Sequence, residues 1–362
     1  MNNNIHQTND VVANRYKIIK YLAQGGMQEV YIATDQAFKK HVVLKTPKNI
    51  SAEKRFQRSA QVSAKINHPN VAKTLDYIEH ERSYLIEEFI DGNDFKFRLN
   101  NEFEFLDPHL AAHVIHHLVK GLAAAHHVGV FHRDLKPSNI MVSNDPSLRQ
   151  IKLTDFGIAK MTEQKMAEDL QDVEKSITTS KTLVGALPYM APELIEKPKK
   201  AGLPADVWSI GAILYYLMTG KPPFGKELFA VTRIIEAKLP QKPNFFAKKQ
   251  FQNLTNELWK LIELCLQKNP EVRPTADELV EKCSQLCYSA AERQKGIISQ
   301  FRSGTGNWGF ITSDHNQNVF FHADSCYGNK SINTGLRVNF ASFPGLPQPR
   351  AFPILPIKEE HF

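Results

Sequence analysis

Asp134, Lys136 and Asn139 stand in one short stretch, residues 131–139. A carboxylate, an ammonium and an amide at that spacing are the groups that moving a phosphoryl group needs. They supply a base for an acceptor hydroxyl, a cation for the travelling phosphate and oxygen ligands for a magnesium ion. Pro137 and its short polar neighbours favour a loop over a helix, and a loop can aim three side chains at one point. Two more charged groups flank the stretch: Lys45 after Val42, Val43 and Leu44, and Asp155 before Phe156 and Gly157.

The elements that must position these residues are readable from periodicity. Segments 16–22, 29–33 and 41–46 alternate as strands around a glycine turn. A helix is expected over 51–66, with Ser51 as N-cap and Phe56, Ala60, Ser63 and Ile66 on one side. Strands near 71–79 and 83–89 complete a strand-rich first lobe. After Asp91 and Gly92 the pattern turns helical: 107–128, 205–219, 228–237, 255–268 and 275–293, with short extended pieces at 140–142 and 151–154. From Gly296 short aromatic strands replace helices. Residues 343–362 are proline-rich without clear periodicity, and residues 1–13 read as a disordered leader.

The 362 residues leave room for two or three domains. Hydrophobic residues at 42% and charged residues at 23% are ordinary for a globular protein. A net charge of +7 allows an acidic partner without demanding one. Cys265, Cys283, Cys287 and Cys326 make no CxxC or zinc spacing, so they read as buried thiols in a reducing compartment; Cys283 and Cys287 should share a helix face. No apolar signal core opens the chain and no run of about 18 apolar residues occurs, so a cytoplasmic protein without a membrane partner is expected. His113, His116, His117, His126 and His127 have no acidic or cysteine companion in sequence and read as a helix face rather than a metal site.

Taken in order, Lys45, the stretch 131–139, Asp155-Phe156-Gly157, Ala191-Pro192-Glu193, Asp206-Val207-Trp208-Ser209-Ile210-Gly211 and Arg273 resemble a eukaryotic-type protein kinase of the bacterial serine/threonine branch, over about 16–286. The resemblance implies an α+β bilobal kinase fold over 14–290, with a strand-rich small lobe at 14–90 and a helical large lobe at 91–290. It also implies ATP, Mg2+ and protein substrates. By the same resemblance Asp134 is the base and Lys136 sits beside the transferring phosphate. Asn139 and Asp155 hold the metal, and Lys45 holds the α- and β-phosphates. Gly25 approaches the phosphates, Val30, Val43 and Met141 line the adenine slot, and backbone groups of Glu88 and Ile90 read its edge. Phe156 packs beneath the helix at 51–66, and Glu193 pairs with Arg273. Arg133 would meet a phosphate on the segment before Met190, at Thr178, Thr179, Ser180 or Thr182.

Three positions depart from that family. The glycine loop reads Ala23-Gln24-Gly25-Gly26-Met27-Gln28, so Gln28 stands where a glycine is expected. Ser59 replaces the helix glutamate that pairs with the lysine, and Glu87, at the back of the adenine pocket, is the expected substitute partner of Lys45. Ala186 replaces a threonine that steadies the base. An active kinase and a degenerate kinase acting as a nucleotide- and RNA-binding scaffold both stay open.

In the last module, alternation puts Trp308 with Phe310, and Phe320 with His322, on neighbouring strand faces. Such rings form a platform on which unpaired bases stack. The segment resembles a cold-shock domain, a small all-β OB-type barrel over 294–355, and the resemblance adds Phe301 to the platform. Single-stranded RNA or DNA is then the expected partner, although Arg302, Lys330, Arg337, Arg350 and Lys358 against Asp314, Asp324, Glu359 and Glu360 leave little excess positive charge. A barrel whose aromatics pack against protein is the alternative.

Overall fold

The computed structural model of the chain describes residues 4–24, 28–156, 185–197, 201–225, 230–304 and 306–358. Strands β1 (Val11–Val12), β2 (Tyr16–Gln24), β3 (Gln28–Asp35), β4 (Lys40–Pro47), β5 (Thr74–Glu79) and β6 (Ser83–Glu88) form one sheet in the order β1-β2-β3-β4-β6-β5. Strict alternation along β3 sorts its side chains between two faces. Tyr31 and Ala33 join Val42, Leu44, Tyr84 and Ile86 in a buried outer cluster, while Val30 pairs with Lys45 on the other face. Helix α1 (Ile50–Ser63) packs Phe56 and Ala60 onto Leu85, on the Lys45 side.

The segment expected as a disordered leader is ordered from Asn4 onward. Val11 and Val12 pair with β2, Ile5 N donates to Glu29 (3.0 Å) and His6 N to Tyr31 Oη (3.1 Å). The outer apolar face of the sheet needs a cover, and Val12 is part of that cluster.

The large lobe begins with β7 (Gly92–Asp94) and α2 (Phe95–Asn101), both missing from the sequence reading, and is centred on α3 (Pro108–His127). Asp107 caps α3 by accepting from His109 N and Leu110 N, and Pro108 occupies the first turn, where no N–H is needed. Strands β8 (Ile140–Ser143) and β9 (Ile151–Leu153) join β7 in a three-stranded sheet. Around α3 lie α4 (Pro192–Glu196), α5 (Leu203–Thr219), α6 (Ala230–Glu236), α7 (Gln252–Cys265) and α8 (Ala276–Ser284). Helix α5 is buried along nearly its whole length and ends at Gly220, whose φ of +71° is the left-handed turn a glycine allows. Helix α8 stops at Ser284, well short of the expected 293. Beyond it the chain is drawn over the large lobe, where Ser289 N donates to His109 Nδ1 and Arg293 N to Ser147 Oγ. Cys287 is therefore off the helix and exposed, whereas Cys265, Cys283 and Cys326 are buried.

Strands β10 (Arg293–Arg302), β11 (Trp308–Ser313), β12 (Asn318–His322), β13 (Arg337–Phe343) and β14 (Arg350–Pro356) close a barrel in the order β10-β11-β12-β14-β13, consistent with an OB-type barrel. Strand β14 lies in the proline-rich stretch that showed no periodicity. Its pairing with β13 slips between Phe340 and Ser342, and Pro353 falls in that slip, where no ladder N–H is required.

The barrel shares the core of the large lobe. Tyr327, Leu355 and Ile357 belong to the same buried cluster as α3 and α7. The Arg293 guanidinium reaches Asp107 at 2.7 and 2.9 Å, with side chains 4% and 0% exposed. Asn339 accepts from Arg293 and donates to Pro146 O, and Lys358 Nζ donates to Leu99 O and Asn100 O.

Candidate active site and aromatic platform

In the antiparallel register Val43 faces Glu87, and Lys45 faces Leu85. Glu87 is thus the diagonal neighbour of Lys45 on one sheet face, within reach of a long side chain. Lys45 Nζ lies 2.7 Å from Glu87 Oε2 and 2.7 Å from Asp155 Oδ1. Lys45 and Glu87 are each about 6% exposed. Burial opposes charge on Lys45, but Asp155 and Glu87 outweigh it and hold the ammonium above its ordinary value. Burial pushes the Glu87 carboxyl up against the pull of Lys45. For Asp155 burial also opposes ionisation, yet Lys45, His132 and Lys136 together hold its carboxyl below the usual range. Lys136, from the other lobe, therefore acts on the same carboxylate as Lys45.

Asp134 is held from within its own loop. Lys136 Nζ donates to its Oδ2 at 2.7 Å, and Asn139 Nδ2 donates to its backbone oxygen (2.7 Å) and Oδ2 (3.2 Å). Pro137–Asn139 form a short 3-10 turn that brings the three together. With its amide nitrogen committed, Asn139 has its amide oxygen as acceptor. An amide oxygen and the Asp155 carboxylate are hard donors of the kind Mg2+ takes, with phosphate and water completing the shell. Among the described residues no group of three or more His, Cys, Asp or Glu could hold a metal by itself.

The loop backbone is fixed by Asp206, fully buried at the start of α5. Its carboxylate accepts from His132 N and Arg133 N, each at 2.7 Å, and meets His126 Nε2 at 3.0 Å. Arg133 and Asp155 both have φ of +62°, a strained region for these residues that surrounding contacts must impose. The Arg133 guanidinium lies over the Phe131 ring at 3.9 Å. Ala186, in the place of the expected threonine, is buried. Arg273 forks onto Glu193 at 2.5 and 2.9 Å.

Phe156 is tied to α1 by its backbone. Its carbonyl accepts from Ser59 Oγ (2.9 Å) and Ser63 Oγ (3.0 Å), and its ring packs 4.6 Å from His132. These two hydroxyls and Asp206 were not singled out by side-chain chemistry in the sequence; the only signal was that Ser59 stands where a glutamate is expected and that Asp206 opens a motif.

Val30, Ile32, Val43, Lys45 and Glu87 share one face of the small-lobe sheet. Met141 is half-buried on β8 in the other lobe. Glu88 ends β6 with its N–H donating to Lys73 O and its carboxylate turned onto Lys152 (2.6 Å); Ile90 is buried two residues on. Gly25, Thr178, Thr179, Ser180 and Thr182 lie outside the described residues. The α3 histidines take separate partners: His113 meets Leu148 O, His116 meets Tyr288 Oη, and His127 meets Asp277.

On the barrel, Trp308 stands opposite His322 and Phe310 opposite Phe320, with ring centres of Trp308, Phe310 and Phe320 5.7–6.0 Å apart. All three rings are half-buried. Arg302 lies over Trp308 at 4.9 Å and Arg350 beside Phe320 at 6.0 Å. Phe301 is not part of this face. It pairs with Gly309 and stacks on Phe321 inside the barrel, because alternation sends Gln300 and Arg302 outward and Phe301 inward.

A family model for the protein kinase domain matches residues 16–283. Relatives include a probable serine/threonine-protein kinase of Corynebacterium efficiens, 29% identical over 78% of this chain and 43% of its own length. The serine/threonine-protein kinase pkn3 of Myxococcus xanthus is 32% identical over 74% and 49%. The serine/threonine-protein kinase PknB of Mycolicibacterium smegmatis is 30% identical over 74% and 42%. The chain spans less than half the length of each of these relatives. Among the described residues no helix is long and apolar enough to cross a membrane.

Proposed function

Because the chain belongs to the protein kinase family, we propose that it is a serine/threonine kinase that moves the γ-phosphoryl group of ATP to protein hydroxyls and binds single-stranded nucleic acid on its barrel. Asp134, aimed by Lys136 and Asn139, accepts the proton of the substrate hydroxyl. Lys136 neutralises the phosphate in transit. Lys45 holds the α- and β-phosphates, and Glu87 keeps it charged and extended. Asn139 and Asp155 offer the oxygens for Mg2+, whose chemistry there is to neutralise phosphate charge.

The observation that carries this reading is the meeting of Lys45 with Asp155 across 110 positions of sequence, beside the Asp134 loop. The test compares ATP-dependent phosphate incorporation by the wild type and Asp134→Asn. Losing a positioned base should slow transfer by about 10²–10⁴-fold. Equal incorporation by both removes the kinase reading and leaves the non-catalytic scaffold, which the alanine at 186 in place of the expected threonine favours.

The barrel reading rests on three adjacent half-open rings flanked by two guanidinium groups. Fluorescence anisotropy of the full chain with unstructured RNA checks it; binding that ignores Trp308→Ala and salt would instead favour a protein contact.

A further inference from the structure

In this chain the partner of the lysine and the anchor of the helix have been separated. Lys45 is paired within the sheet, through Glu87, and with Asp155. Helix α1 gives Lys45 no carboxylate; Ser59 stands at that place. Toward the large lobe, α1 bonds the carbonyl of Phe156, with two hydroxyls four residues apart on one helix face. Serines inside helices usually bond back to their own turn. Both of these reach instead to a residue more than 90 positions away, three residues past the end of β9, and both are buried, at 7% and 6% exposure.

A carbonyl oxygen has two lone pairs, and the two serines supply two donors. The bonded carbonyl sits one residue after Asp155, whose φ of +62° lies in the sparsely populated left-handed region. The ring of the same Phe156 is fixed against His132, next to the Asp134 loop. The peptide following Phe156 is thereby pinned on the α1 side, one residue beyond Asp155, whose carboxylate meets Lys45.

We propose that Ser59 and Ser63 form a hydroxyl latch that positions Asp155 for its metal, so that α1 governs the metal ligand rather than the lysine. The latch rests on the kinase reading but concerns Mg2+-dependent nucleotide binding, which is measurable without turnover. Ser59 and Ser63 are positioning residues; neither touches the reacting atoms.

The experiment measures the affinity of the full chain for a non-hydrolysable ATP analogue, with and without Mg2+, by calorimetry. Ser59→Ala and Ser63→Ala singly leave one donor on the carbonyl, so each should cost less than about threefold. The double variant leaves the carbonyl without these donors and should lose about tenfold of the Mg2+-dependent gain. Its metal-free affinity should stay at the wild-type value. Ser59→Thr combined with Ser63→Ala keeps one hydroxyl and should behave like a single variant, which guards against a folding defect in the double alanine chain. A double variant that keeps the full Mg2+ gain overturns the latch. So does one that loses metal-free and Mg2+-dependent affinity in parallel, or a wild type whose affinity ignores Mg2+. A wild type with the Mg2+ gain but no phosphate transfer overturns the kinase reading and not the latch.

Discussion

Lys45 and Trp308 both project from antiparallel strands, and both depend on the neighbour across the strand gap for their setting. Lys45 is 6% exposed and lies between two carboxylates at 2.7 Å. Trp308 is half open, with an aromatic ring on each of two sides and Arg302 above it. The difference is one of dependence. A charge withdrawn from water keeps its ionisation only while its partners remain, so one deletion strands another group. A ring at the surface loses only its own contacts when it is removed. The barrel carries both situations, since its seam with the large lobe holds Arg293 against Asp107, both buried.

The largest effect is expected at that seam. Arg293→Ala leaves Asp107 buried and uncompensated and should lower unfolding stability by about 3–5 kcal/mol, read from urea titration of the full chain. A loss under about 1 kcal/mol would mean that burial does not set the cost. Burial opposes the Asp107 charge, but Arg293 prevails and holds the carboxyl below its ordinary value of 3.8. A depressed carboxylate stabilises the fold above its unfolded pKa and loses that contribution as pH falls through the folded value. The seam should therefore be insensitive from neutral pH down to about 4 and weaken below it. Acid unfolding of Asp107→Asn should be the less steep of the two.

Glu87→Ala comes next. Asp155 remains beside Lys45, so the loss should sit at the lower end, about 3 kcal/mol, together with weaker ATP binding. If stability and ATP affinity are both unchanged, Lys45 does not rely on Glu87 and the cleft is no more interdependent than the platform. On the platform, Trp308→Ala should weaken binding of single-stranded RNA by about 1–3 kcal/mol while leaving the melting temperature nearly unmoved. Phe301→Ala should do the reverse, because Phe301 stacks on Phe321 inside the barrel.

The parts of this molecule that sequence exposes are those set by local spacing. Asp134, Lys136 and Asn139 meet within six positions at one short 3-10 turn, and strand alternation alone places Trp308 and Phe310 on one face. Phe301 was misplaced because a single position reverses the face of a strand residue. Ser59, Ser63 and Asp206 act through backbone groups 73 to 97 positions away, and a serine or aspartate looks the same in sequence whether or not such a partner exists. Strand β14 was hidden by its prolines, of which Pro353 falls in a register slip. The order of residues 4–13 depends on the apolar sheet face they cover, which is assembled from four other strands.

The smallest expected effect gives the finest test of the platform. Among the described residues, Arg302 and Arg350 are the cations that stand against its rings. If each neutralises one phosphate of a single strand, log affinity should fall with log salt at a slope of about −1.4. That amounts to roughly a sevenfold loss between about 50 and 200 mM salt. Arg302→Ala should reduce the slope to about −0.7, while Phe310→Ala should weaken binding at every salt concentration and leave the slope alone. A slope several times steeper would place most phosphate contacts away from the rings. The open rings would then be a minor part of the interface, and the contrast with the buried cleft would need a different nucleic-acid path.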